Sequence, residues 1–168
     1  MKKTVLILLA LAACSDPLGV PRDTGAPIQT DALDYDLTRR GLFLETSIAY
    51  VYANAGTTPI YVQNCGGAYG ILLEQLQDGV WNVVWGNATP DCISPAIEIA
   101  PGQSLSGTLP VVAGTPDCGC GAFTTSEIDG VYRMVVAEAF DALGPNGYAA
   151  GELVPLDRRS SNRFVITR

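Results

Sequence analysis

The chain of 168 residues contains no histidine and only two lysines, Lys2 and Lys3. Without histidine there is no general base of near-neutral pKa, no Ser–His or Cys–His nucleophile and no imidazole metal site. With lysine confined to the first three residues, Schiff-base and lysine-nucleophile chemistry are also absent from the body of the chain. These gaps weigh against an enzyme, and no cofactor or metal is expected. Long apolar runs are missing too: the longest, residues 5–11, falls short of the ~20 residues that cross a bilayer. No stretch keeps a helical period over three turns.

What is present at the start is a secretory pattern. Lys2-Lys3 precede the apolar run, and small residues follow at Leu11-Ala12-Ala13 before Cys14. Residues 1–13 are therefore expected to be a signal peptide. Leu-Ala-Ala-Cys resembles the lipobox of bacterial lipoproteins, which implies that the Cys14 thiol carries a diacylglycerol and becomes the new N-terminus. Ser15 follows the cysteine, which by resemblance to enterobacterial sorting signals implies the outer membrane. Removing residues 1–13 leaves eight arginines against seventeen acids, a net charge of −9. So acidic a surface disfavours nucleic acid and charge-driven binding to anionic headgroups. The membrane is then reached through the acyl chains, and the remaining expected partner is an unidentified envelope protein.

Four further cysteines, Cys65, Cys92, Cys118 and Cys120, fit an oxidising compartment and two disulfides with three possible pairings. A four-thiolate zinc site is disfavoured, because only Cys118 and Cys120 are close and their spacing is one residue too tight. The expected bond is Cys65–Cys92, closing a loop around the tryptophan strand and contributing ~3 kcal/mol. Cys118 would then bond Cys120. The alternative sends this CxC loop across to the other two cysteines.

Residues 14–34, rich in Pro, Gly, Asp and Thr, read as a flexible tether, and residues 35–168 as one domain. Leu42, Leu44, Thr46, Ile48, Tyr50 and Tyr52 alternate with more polar residues, the period of a half-buried strand. A turn over 54–59 precedes a strand at Ile60. Residues 71–76 form a strand whose inward face the pattern leaves open. Asp78-Gly79 marks a hairpin, and the returning strand is expected to put Trp81, Val83 and Trp85 on one core-facing side. Strands follow at 96–99, 104–109, 131–140 (with Tyr132, Met134, Val136 and Phe140 inward), 152–156 and 163–167. Seven or eight short strands with frequent turns predict an all-β, antiparallel Ig-like β-sandwich.

The order Asn54-x-x-Thr57-x-x-Ile60, Leu73-Glu74, Asp78-Gly79-x-Trp81, Ala100-Pro101-Gly102, Gly130-x-Tyr132-Arg133 and Leu156-x-x-Arg159-x-Ser161-Asn162-x-Phe164 resembles bacterial Ig-like sandwich domains of exported lipoproteins. The likeness spans roughly residues 40–167. The same order is similar to the sandwich of the bacterial intracellular proteinase inhibitor family. That likeness implies a second function, protease inhibition through a loop, although export and the cysteines depart from an intracellular inhibitor. The motifs are fold signals and transfer no catalytic residue.

Several constellations have a functional and a structural reading. Asp31, Asp34 and Asp36 resemble clustered calcium ligands but lack the loop spacing, and are read as a solvated run. Trp81 and Trp85 could form a ligand platform and are read as core. Asp91 and Asp117 follow prolines, which is turn chemistry. Arg158, Arg159 and Arg163 could grip a carboxylate, with pairing to nearby acidic strands expected instead. Cys118 and Cys120 could support thiol redox chemistry. The loop 112–126, with Thr115, Pro116, Asp117, Gly119 and Gly121, is the expected interaction surface. Together these features describe a lipid-anchored, non-enzymatic envelope module.

Cys14→Ser is expected to release the protein from membranes without unfolding it, because the expected domain begins only at residue 35. Two or more acyl chains hold stably where one does not, so the wild type should partition into detergent. Phase partition and intact mass check this. A soluble wild type lacking an acyl increment would leave an ordinary secreted domain.

Overall fold

The computed structural model describes residues 23–87, 94–114 and 123–168. The signal segment, Cys14, Cys92, Cys118, Cys120 and the loop residues Thr115, Pro116, Asp117, Gly119 and Gly121 lie outside the described residues. The described chain is all-β and sandwich-like, with mostly antiparallel sheets and no α-helix.

Its longest pairing joins β4 (Phe43–Ala53) to β9 (Ser104–Gly114), antiparallel and in unbroken register from Phe43↔Gly114 to Ala53↔Ser104. Period-two alternation puts Leu44, Ile48, Tyr50 and Tyr52 on the inward face, where they meet Leu109, Val111 and Ala113. Gly107 lies opposite Tyr50, and a side chain there would collide with the Tyr50 phenol, which bonds the Tyr69 hydroxyl. The other edge of β4 is shared by β1 (Ile28–Thr30) and β3 (Thr38–Arg40).

A second sheet runs in the order β2 (Asp34–Asp36), β13 (Phe164–Thr167), β10 (Gly130–Val136), β6 (Ile71–Gln77) and β7 (Val80–Gly86). Only β2 against β13 is parallel. The turn between β6 and β7 is Asp78-Gly79, with φ of 51° and 81°, as a two-residue hairpin with both centres left-handed requires. A third sheet orders β12 (Ala149–Leu153), β11 (Ala139–Leu143), β5 (Ile60–Asn64) and β8 (Ser94–Ile99). One 3-10 turn occurs among the described residues, η1 (Leu156–Arg158), ahead of the last strand. All three sheets feed one core, with Ile48 and Leu109 from the first, Leu73, Tyr132 and Phe164 from the second, and Val62 and Ile99 from the third. Each such side chain contributes ~1.5–3 kcal/mol by leaving water.

Several expectations are corrected. There are thirteen strands among the described residues, not seven or eight, because short edge strands carry no periodic signal. The strand expected over 131–140 breaks at Ala137 and Glu138, and its halves lie in different sheets. Phe140 is consequently only half-buried, and Leu42 is 52 % exposed ahead of β4. Trp81, Val83 and Trp85 do not share a face. A bulge shifts the β6–β7 register so that Trp85 opposes Leu73 while Val83 opposes Glu74. Trp85 enters the core with Val84, and Trp81 and Val83 stay on the outer side. The domain also starts earlier than residue 35: β1 is already paired, with Ile28 fully buried.

Burial pushes the phenols of Tyr35 and Tyr52 up to about 12 and raises those of Tyr50, Tyr69 and Tyr132 above the usual phenol value. The native state favours the protonated phenol. The stability this carries is whole below pH 10 and lost as pH rises through 12, ~2–3 kcal/mol each for Tyr35 and Tyr52. Urea midpoints should hold to about pH 10 and then fall steeply. Most of the tyrosinate absorbance should appear with unfolding. Full ionisation at ordinary phenol pH in a folded chain would contradict this burial.

Candidate functional site

The two ends of the described chain meet over the second sheet. Asn162, 1 % exposed, receives the Thr30 backbone N–H on Oδ1 at 2.8 Å and donates from Nδ2 to Thr30 Oγ1 at 2.9 Å. Its own backbone N–H donates to the Ile28 carbonyl at 3.0 Å. Next to it, Ser161 Oγ accepts from the Met134 N–H at 2.8 Å and donates to the Asn162 carbonyl at 2.6 Å. Ser160 Oγ donates to the Leu156 carbonyl. Both serine protons are thus held by backbone carbonyls, so neither hydroxyl is presented as a nucleophile. The role of these residues is to lay segment 23–27 alongside segment 156–163.

A cleft opens on each side of segment 23–27. The first, about 450 Å³, is lined by Trp81, Arg133, Arg163, Asp157, Ser160 and Ser161 among others. The Arg133 guanidinium lies 4.5 Å from the centre of the Trp81 ring and that of Arg163 5.8 Å from it. Arg133 Nε also donates to Glu74 Oε2 at 2.6 Å, with the two side chains only 17 % and 12 % exposed. Glu74, Arg133 and Val83 are register partners across β7, β6 and β10, which places this pair on the outer face beside Trp81. Arg163 is exposed and makes no ion pair among the described residues. The arrangement is a flat aromatic surface with one neutralised and one open guanidinium, suited to an anionic or planar partner group.

The second cleft, about 620 Å³, is more apolar. Ala26, Pro27, Val51, Ala53 and Ile60 line it together with Asp157 and Arg158.

The arginine cluster expected to pair with acidic strands is dispersed instead. Arg159 turns inward and donates to the Val154 and Val136 carbonyls, each at 2.9 Å. Arg158 faces the second cleft and Arg163 the first. The reason is local: the Val154 and Val136 carbonyls lie within hydrogen-bonding reach of Arg159, and it makes no ion pair among the described residues. Asp31 accepts from the Tyr35 hydroxyl at 2.6 Å and the Ala49 N–H at 3.1 Å, and Asp36 from Thr167 Oγ1 at 2.7 Å. They serve turns and strand ends, and no metal-binding grouping occurs among the described residues. Cys65 sits in a turn closed by its backbone bonds to Ala68, in which Gly66 and Gly67 both have positive φ. Of loop 112–126, β9 takes the first residues and Phe123 is buried, while Thr124 N–H caps the Val84 carbonyl at 2.8 Å.

The Trp81 face has a sequence signal of its own. A two-residue hairpin at Asp78-Gly79 pairs Trp81 with Leu76 and Val83 with Glu74. Trp81 therefore shares its face with a mid-strand glutamate.

No protein-family model matches the chain, and no curated protein matches it in sequence.

Asn162→Ala should destabilise the protein by ~2–4 kcal/mol, since it strands the buried Thr30 N–H and removes a bonded network. Cleavage by added protease should concentrate at segment 23–30. Stability unchanged within ~0.5 kcal/mol would show that β1 is held by its ladder alone.

Proposed function

We propose that the protein is a lipid-anchored, Ig-like module of a bacterial envelope, sorted to the outer membrane, that works by binding another envelope protein and not by catalysis. The lipobox-like Leu11-Ala12-Ala13-Cys14 supports the anchor, and the all-β sandwich-like domain supports the module. The observation that carries the binding reading is Trp81 flanked by Arg133 and Arg163, a basic aromatic face on a chain of net charge −7. Arginine and tryptophan are among the residues that most often anchor protein interfaces. A partner surface bearing exposed carboxylates would complement Arg163, and rim charges of this kind govern encounter rate and salt dependence. Cys65 is assigned in this reading to a disulfide with Cys92.

A photo-crosslinking amino acid placed at Val83, half-exposed on the same side of β7 as Trp81, tests the proposal in native envelopes. A discrete adduct is expected, weakened by Arg163→Glu and by raised salt. A probe placed at Leu143, on the third sheet, should not give it. Identical adducts from both positions, none from either, or turnover of a substrate by the purified protein would overturn the reading. Peptide mapping under non-reducing conditions checks the Cys65–Cys92 bond.

A further inference from the structure

The far edge of β9 is open. β9 pairs with β4 on one side, and no strand among the described residues pairs with the other. Ala49 of β4 spends both its backbone groups on Asp31: its carbonyl accepts from the Asp31 N–H at 3.0 Å, and its own N–H donates to Asp31 Oδ1 at 3.1 Å. Ala49 stands opposite Thr108, so this pair exchanges no ladder bonds and Thr108 turns its N–H and carbonyl away from β4. By alternation Ser104, Ser106, Pro110 and Val112 do the same. Pro110 has no N–H to offer, and the Val112 carbonyl already accepts from Trp85 Nε1 at 3.1 Å. The stretch left open is residues 104–108, with Ser104, Ser106 and Thr108 exposed. The other edge strands are guarded, as the edges of natural sheets usually are. β2 carries Asp34 and Asp36, β3 carries Arg39 and Arg40, and β8 contains Pro95. β12 is bulged at Gly151, Asn162 covers β1, and Thr124 covers β7. Residues 104–109 have no charge, proline or bulge.

We propose that two copies of the chain join these edges antiparallel, about a twofold axis at Ser106. Pro110 fixes the register. Centring on Ser106 sets that residue against its equivalent, and Ser104 against Thr108 of the second copy, so every open N–H and carbonyl is paired. Moving the axis to Thr108 would bring Pro110 into the ladder opposite Ser106 and lose a bond. Moving it toward Ser104 would call on Gly102, whose N–H is already held by the Asn54 carbonyl. In the favoured register Leu105 meets Gly107 of the second copy, which has no side chain to oppose it. The edge is thus its own complement. Charge points to the same occupant. Each copy carries a net −7, and this uncharged edge lets two copies approach without setting like charges opposite one another. A copy offers one such edge among its described strands, so the pairing uses it up and closes at a dimer. The inference is independent of the anchor and of the Trp81 face, which lies on another sheet.

The test uses the full chain in a zwitterionic detergent, with micelles in excess over chains. Sedimentation should show a monomer–dimer equilibrium that tightens with added salt, the opposite of the response expected at the Trp81 face. The Ser106 and Thr108 amides should gain protection from hydrogen exchange as protein concentration rises. Ser106→Glu and Ser106→Lys should each weaken the dimer about tenfold or more, because like charges then meet on the axis. Mixing the two variants should restore it as a one-to-one pair, a rescue that only self-contact at this residue produces. A monomer at every concentration, a dimer untouched by either substitution, or folded variants that fail to pair when mixed would overturn the proposal. So would protection of these amides that appears only with envelope extract, which would assign the edge to a foreign strand. The exchange measurement is read on the wild type, so the proposal stands or falls there even where a variant fails to fold.

Discussion

The buried amide of Asn162 is the interaction on which the described surface depends. It completes the Thr30 N–H and hydroxyl from one side while its backbone holds Ile28 from the other. These bonds join residues separated by 132 positions in the chain, and closing so long a span costs entropy that local contacts do not recover. β1 has only three residues of ladder against β4. Alone, that is too little to fix segment 23–27 against η1. With the amide in place, the segment becomes a shared wall between two clefts, and Gly25, Ala26 and Asp157 face both. A fully satisfied polar network in the interior rigidifies what it touches. Here that is the meeting of the chain's two ends.

The second constraint is the bulge in β7. One extra residue at Val84 lets both Val84 and Trp85 turn inward, and Trp85 Nε1 donates to the Val112 carbonyl at 3.1 Å. Strict alternation would have kept Trp81 and Trp85 on the same side. The bulge instead commits one tryptophan to the core and leaves the other outside, where Arg133 and Arg163 meet it. Glu74 then anchors Arg133 from the neighbouring strand in a largely buried pair. Such a pair is weak evidence of net stability, but it fixes the plane of a guanidinium over a ring.

What can be read from the amino-acid pattern follows from these two features. The inward set Ile48, Tyr50 and Tyr52 is legible because β4 is long, one-sided and unbroken. Asp78-Gly79 is legible because its turn chemistry is local. The faces of Trp81 and Val83 come out wrong because a bulge changes parity without changing composition. β1 is hidden because three residues cannot display a period. The separation of β10 from β11 is hidden because a two-residue bend moves the chain to another sheet while the hydrophobic pattern runs on. The candidate site is the least legible part. Its groups come from β6, β7, β10 and the segments at both ends, and only the register brings Glu74, Trp81, Arg133 and Arg163 together.

The choice of cation explains why arginine carries this surface. The domain holds no lysine and no histidine, so every cationic side chain in it is a guanidinium. Among the described residues Arg40, Arg133 and Arg168 pair with Glu45, Glu74 and Asp129, and Arg39 and Arg159 serve backbone carbonyls. Arg163 and Arg158 are left facing a tryptophan and an apolar cleft. An ammonium would be a poorer occupant of either place, since it has no planar face to lay on a ring and sheds its water less readily. No side-chain cation of the domain changes charge between neutral pH and strong alkali. The binding proposed for this face is therefore governed by ionic strength and by the partner's own protonation. For a domain tethered to a membrane surface as proposed, where local pH and salt vary, a permanently charged face gives an attraction that the partner modulates and the domain does not.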